Sequence, residues 1–331
     1  MALERLDHYF VYARDTARLD FVVVTDHDYG NAAPWKLPME TWALTNDKVD
    51  EYTVNGRFVA IAGYEWTSQS KYWTPEESRF EGPVKFYNHK NVYFPARMDY
   101  LFSARDSAYN SPDLLARAVQ RVGGLIHNNH LNQAQWPDQF DYDPANSSVI
   151  VNSEMWADTM QSWRGVYTGY TESLLREYLR KGGKTGFVGV SDTHSGQPAA
   201  RTAVLARELT RPAIFEALRH RRTYAVYNAP ISLDVRIAGH FMGEEIEIAG
   251  PPRIAVDVRG TDDIEELVIV RDGSVIHSIH PGTRDARFEY VDKGFGGNSY
   301  YYVRVVQVDT DALGNHSRAW SSPIRVKAKA K

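Results

Sequence analysis

The chain has 331 residues, which at roughly 150 residues per domain accommodates about two domains. Hydrophobic residues at 43% and charged residues at 24% are globular proportions that exclude disorder, collagen and coiled coil. No run approaches the roughly 20 apolar residues of a membrane helix, and 38 basic against 42 acidic residues, with no basic block, argue against nucleic-acid and membrane partners. Zero cysteine removes disulfides and thiolate metal ligands. It fits a cytosolic protein, and equally an exported one whose signal lies upstream of Met1.

In chain order, Leu6, Tyr9, Phe10, Ala13 and Ala17 recur at helical spacing, so a helix is predicted almost from Met1, with no signal peptide before it. The valine-rich run 19–25 reads as a buried parallel strand. Further strand-like runs lie at 58–62, 92–94, 125–127, 149–151 and 186–190. Helices are predicted over 111–122, 171–181 and 210–220; in the first, Ser111 caps, Pro112 suits the first turn and Gly123 suits the stop. Strand–helix alternation implies parallel strands with right-handed crossovers, in an open sheet or a barrel. Near Ala229-Pro230 the texture changes to short alternating runs separated by turn residues, which predicts an antiparallel β-sandwich over 229–331 after an α/β domain over 1–228. Asp272-Gly273 is its strongest hairpin signal.

The chemistry concentrates at strand ends. Of eleven histidines, His27, His89, His127, His130 and His194 fall beside strand-like runs, and Glu65, Glu154 and Asp192 follow such runs. In parallel α/β folds ligands bind at the carboxyl ends of strands, so these residues are expected to converge on one face. Imidazoles and carboxylates without thiols form a donor set for Zn²⁺, Mn²⁺ or Fe²⁺. A single histidine at a strand end is more often a polar rim residue; the constellation is what argues for a metal.

The stretches Asp20-Phe21-Val22-Val23-Val24-Thr25-Asp26-His27, Gly63-Tyr64-Glu65, His89-Lys90-Asn91-Val92-Tyr93-Phe94, Asn129-His130 and Gly189-Val190-Ser191-Asp192-Thr193-His194 resemble the PHP (polymerase and histidinol phosphatase) superfamily. Their order and spacing most resemble its carbaryl-hydrolase-like branch, the CehA/McbA metallohydrolases, as do Arg221-Arg222-Thr223-Tyr224 and Gly239-His240-Phe241-Met242-Gly243. The resemblance implies a distorted (β/α)7 barrel holding one to three divalent metal ions. It makes Glu65, His89 and His130 similar to the ligands of one cation. Glu65 bridges to a second, which Asp192 also ligates, and His27 and His194 serve a third. His127 is a neighbour that competes with His130, Asp26 stands behind the ligands, and Glu154 is an acidic strand-end residue of open role. The family's opening strand, with its His-x-His, has no counterpart before Leu6; of three explanations, a true start upstream of Met1 is favoured over a second chain that covers the gap and over a loss of activity.

The activity so implied is hydrolysis of a phosphate ester or related small-molecule ester through metal-bound hydroxide, with Glu65, Asp192 and His194 as the catalytic residues. Arg164 and Arg201 are candidates to hold an anionic substrate, and Trp66 to contact it. A homo-oligomer is compatible with the sequence. An alternative is a non-catalytic module binding carbohydrate through aromatic loops and the sandwich. A glycosidase using Glu65 and Glu154 fits less well, because such an enzyme needs no imidazole cluster.

Overall fold

Successive side chains of a strand point to opposite faces of its sheet, and that alternation organises the N-terminal part of the chain. The structure is a computed structural model and describes residues 3–28, 39–68, 87–129, 131, 144–157, 169–192 and 200–329. The chain divides into two compact units, Met1–Val151 with Ala206–Arg219, and Asn152–Leu205 with His220–Lys331.

In the first unit, β1 (Phe21–His27) runs parallel to β2 (Val59–Ser68). β2 pairs antiparallel with β3 (Asn88–Tyr93), and β3 pairs antiparallel with β4 (Leu125–Asn128). Val22, Val24, Ala60, Ala62, Tyr64, Trp66, Val92 and Ile126 share one face and enter a single apolar cluster. Helices α1 (Leu3–Val11), α2 (Met39–Tyr52) and α3 (Pro112–Arg121) add Leu6, Phe10, Trp42, Val49, Leu115 and Val119 to it. Full burial of such side chains stabilises by about 1.5–3 kcal/mol each. Of the predicted stripe, Leu6, Phe10 and Ala13 are buried and Tyr9 and Ala17 are half-buried, and the Ser111 hydroxyl accepts from the Leu114 amide as the expected cap.

Two expectations are corrected here. The strands are not all parallel: β3 runs against both its neighbours although α3 lies between it and β4. A helical connection permits a parallel return but does not impose one. β2 also continues six residues beyond the predicted run to Ser68, because β1 pairs with it as far as Glu65 and β3 takes over the pairing from Gly63 to Ser68. Glu65 therefore lies inside a strand rather than after one.

The second unit is rich in β structure. Strands β5 (Ile150–Ala157) and β6 (Gly186–Val190) are parallel, and α4 (Tyr170–Arg180) lies between them in sequence. Then come β7 (Ala200–Val204), the first unit's α5 (Arg211–Arg219), β8 (Thr223–Tyr227), β9 (Ser232–Ile237), β10 (His240–Phe241) and β11 (Glu245–Ile248). The chain finishes with β12 (Arg253–Arg259), β13 (Ile264–Arg271), β14 (Ser274–Ile279), β15 (Asp285–Val291), β16 (Asn298–Thr310), β17 (His316–Ser321) and β18 (Ile324–Ala328). One sheet has the order β10-β9-β12-β15; the other runs β11-β18-β16-β17-β8-β7, with β13 on β16 and β14 on β13. Valines, isoleucines and leucines from both sheets share one core. The hairpin at Asp272-Gly273 forms as expected: Arg271 pairs with Ser274, and both turn residues have positive φ (51° and 85°), the requirement of a type I′ turn.

α4 is tied to this sheet by a buried charge. The Glu172 carboxylate is 2% exposed and accepts from Arg176 Nη2 (2.7 Å), Tyr302 OH (2.7 Å), Arg304 Nη1 (3.2 Å) and Trp320 Nε1 (3.4 Å). At the other end of the helix Arg325 donates to the Leu179 carbonyl (3.2 Å), where a cation complements the dipole. Among the described residues, no helix is long and apolar enough to cross a membrane.

Candidate metal centre

By the same alternation, the face of the first unit's sheet opposite its core carries Val23, Val59 and Ile61 at one end and polar side chains at the other. The ladders place His27 opposite Glu65, Glu65 opposite Asn91, and Asn91 opposite His127, a row across four strands. One step along β2, Thr67 stands opposite His89. His89 is the second residue of β3, and the reversal of that strand brings it to the end where β1 and β2 finish.

Glu65 is the hub. Its Oε1 lies 2.8 Å from His89 Nδ1 and accepts from Asn129 Nδ2 at 3.0 Å; its Oε2 lies 3.2 Å from His27 Nδ1. The two imidazoles stand edge to face with centroids 5.3 Å apart. Glu65 and His89 are each 6% exposed, while His27 is half-buried. One potential ligand atom from each of His27, Glu65 and His89 lies within 4.8 Å of the others.

Hydrogen-bond logic assigns the ring protons. The single Thr67 hydroxyl proton is donated to the Glu65 carbonyl (3.0 Å), so Thr67 Oγ1 accepts from His27 Nδ1 at 2.8 Å. An ionised Glu65 only accepts, so the hydrogen bond at 2.8 Å places a proton on His89 Nδ1. Metal ligation requires a deprotonated carboxylate and an unprotonated nitrogen on each ring. The cluster thus fits a divalent cation by donor chemistry, by spacing and by burial.

Neighbouring groups support this end of the sheet. Asp28 is buried; its oxygens accept from the Thr67 amide (3.1 Å) and the Ala104 amide (2.9 Å), and burial pushes its pKa up to about 6. His127 Nδ1 meets Tyr93 OH at 2.6 Å on the same face. On the apolar side, Lys90 Nζ donates to the Tyr87 carbonyl (3.4 Å), its one partner among the described residues, and burial holds its pKa down at about 8.

Of the predicted site residues, His27, Glu65 and His89 come together in one cluster, whereas the resemblance allots His27 to a separate cation. His127 lies on the same face, two strands from Glu65. One placement is corrected. Trp66 is not a surface for substrate: it faces the core, is fully buried, and its Nε1 donates to the Tyr109 carbonyl at 3.0 Å. Asp26 is one residue out of phase with His27, pairs with Tyr64 on the core side, and its largely buried carboxyl has a raised pKa, chiefly through desolvation. In the second unit, Glu154 is buried on β5 opposite Val188, Asp192 follows β6 with φ 46°, and Arg201 is half-buried on β7 opposite Val226. His130, His194 and Arg164 lie outside the described residues.

Thr67, Asn91 and Asn129 belong to the cluster but were not singled out from sequence. Period-two spacing of His89, Asn91 and Tyr93 carries the signal for Asn91. Thr67 is legible only once β2 is known to extend past Ala62.

No family model matches the chain. It is similar to an uncharacterized protein of Chlamydia pneumoniae, 22% identical over 367 residues, covering 98% of this chain and 54% of that protein. An uncharacterized protein of Chlamydia muridarum is 23% identical over 346 residues, covering 95% and 53%. The chain therefore spans about half the length of the curated relatives it matches. Among solved structures, a two-domain protein of Bacteroides vulgatus containing a predicted PHP-like metal-dependent phosphoesterase matches with TM-score 0.44 and 15% identity, covering 98% of this chain and 89% of that one. The fibronectin(III)-like modules of Clostridium thermocellum CbhA match 29% of this chain and 95% of theirs, at 23% identity and TM-score 0.19.

Proposed function

We propose that this chain is a metal-dependent hydrolase acting on a phosphate ester or related small-molecule ester. The observation that carries the proposal is the gathering of His27, Glu65 and His89, from three strands, with ligand atoms within 4.8 Å of one another. A divalent cation (Zn²⁺, Mn²⁺ or Fe²⁺) held by these groups supplies Lewis acidity and lowers the pKa of water toward about 7. The chain's own part is to keep the donors ready. Thr67 orients the His27 ring, Glu65 balances the charge and holds both rings, and the buried Asp28 clamps the end of β1 to β2 through the Thr67 amide.

The finer reading rests on the sequence motifs. It is a PHP-type (β/α)7 barrel of the CehA/McbA kind, followed by a sandwich domain from 229, with His130, Asp192 and His194 as further ligands.

The test is elemental analysis of the purified chain by X-ray fluorescence, joined to assays on p-nitrophenyl phosphate, a phosphodiester and carboxyl esters, with and without a chelator. The expected result is a co-purifying transition metal and turnover that chelation abolishes and Zn²⁺ or Mn²⁺ restores. A chain that holds no cation, or whose turnover ignores chelation, defeats the proposal. Oligosaccharide binding by a metal-free chain would favour a binding module instead.

A further inference from the structure

Asn129 immediately follows β4 and is 3% exposed. Its side chain makes three hydrogen bonds: Oδ1 accepts from the Asn91 amide (3.0 Å), while Nδ2 donates to Asn91 Oδ1 (3.0 Å) and to Glu65 Oε1 (3.0 Å). Its backbone is pinned as well, the amide donating to the His89 carbonyl (3.3 Å) and the carbonyl accepting from Asn88 Nδ2 (2.8 Å). The two ends of a side-chain amide are alike in shape, and only their partners tell them apart. Here the Asn91 amide is purely a donor, so the oxygen of Asn129 must face it. The amino group is thereby aimed at Glu65, and both of its hydrogens are used.

We infer that Asn129, locked by Asn91, is a positioning residue that fixes the Glu65 carboxylate between His27 and His89. The terminal torsion of a glutamate is broad and roughly two-fold, so a carboxylate without such a clasp samples many planes. The amide holds Oε1 in one plane without neutralising the charge, which remains available to a cation. This inference rests on the metal-centre reading, and its test separates the two.

The experiment measures Zn²⁺ affinity of the full chain by competition with a chromophoric chelator, together with the urea midpoint of the metal-free protein. Asn129→Ala is expected to weaken Zn²⁺ binding roughly 10–100-fold, the usual cost of losing a group that orients a ligand. The control is Asn46→Ala in α2, a buried amide that donates to the Trp42 carbonyl (2.9 Å) and accepts from the Met98 amide (3.2 Å). It is expected to lower the urea midpoint and leave Zn²⁺ affinity unchanged. If Asn129→Ala does not fold, Asn91→Ala removes only the acceptor that steadies the Asn129 amino group. It is expected to weaken Zn²⁺ in the same direction by less, and an unchanged affinity there overturns the inference. So does Asn129→Ala binding as tightly as wild type, or Asn46→Ala weakening Zn²⁺ equally. If wild type binds Zn²⁺ and Glu65→Gln loses it while Asn129→Ala retains it, the positioning role alone fails. If wild type binds none, the metal-centre reading fails and this inference falls with it.

Discussion

Glu65→Gln preserves the size and shape of the hub and removes its charge. Two donors hold Oε1 of the carboxylate, His89 Nδ1 and Asn129 Nδ2, while the protonated His27 Nδ1, which donates to Thr67, lies 3.2 Å from Oε2. A glutamine has one oxygen, so its amino group must meet a donor on one side. Losing one charge-assisted bond in this buried place costs about 1.5–3 kcal/mol in the metal-free protein. The larger consequence is for the cation. A metal present at 100 times its dissociation constant stabilises the wild type by about 2.7 kcal/mol. If the variant binds roughly 100-fold more weakly, at the upper end for a group supporting a metal site, the same concentration equals its dissociation constant and the gain falls to about 0.4 kcal/mol. Urea unfolding of both proteins, with and without Zn²⁺, should therefore show the metal-dependent increment shrinking by about 2.3 kcal/mol. An equal increment in the two proteins would refute the assignment of Glu65 to the cation site.

Glu172→Ala removes the carboxylate shared by Arg176, Tyr302, Arg304 and Trp320 and leaves buried cationic and polar groups without it, so urea unfolding should register a loss of about 3–5 kcal/mol; a loss under about 1 kcal/mol, the range of surface pairs, would contradict the burial argument. Asp28 has a folded-state pKa raised from 3.8 to about 6, chiefly by desolvation. A raised acid pKa means that the folded state holds its proton more tightly, so this contribution is full below pH 3.8 and is lost as pH rises through about 6. The stability of wild type relative to Asp28→Asn should accordingly decline between pH 4 and 7 by up to about 3 kcal/mol, and a pH-independent difference between the two proteins counts against it. Gly63 stands where a Cβ would lie 2.8 Å from the Val92 carbonyl and 3.0 Å from Val23 Cγ1. Gly63→Ala should cost about 1–3 kcal/mol in thermal or urea unfolding as the sheet shifts to admit it, and a neutral substitution would show that β2 and β3 can separate freely there.

Much of the local structure was legible in the residues themselves. The Leu6, Phe10 and Ala13 stripe, the Ser111 cap and the Asp272-Gly273 turn depend on side chains a few positions apart, and each forms where spacing and backbone preference put it. The donor chemistry of His27, Glu65 and His89 was equally readable, because residue type alone says that imidazoles and a carboxylate can hold a cation. Their partners were not. Nothing within β3 states that it runs against β2, so the arrival of His89 beside Glu65 and the reach of Asn129 to the same carboxylate had no local signal. Trp66 and Asp26 show the same limit from the other side, since both neighbour a cluster residue in sequence yet face the core. The larger sheet of the second unit likewise recruits β7 and β8, upstream of the change in texture at Ala229, through the ladder of β8 with β17. Propensity and periodicity act over one or two turns of chain, whereas strand direction and register are chosen by hydrogen bonding to strands tens of residues away. A slip of a single residue would send His27 and Glu65 to the opposite face, so it is the assembled sheet that brings these donors together.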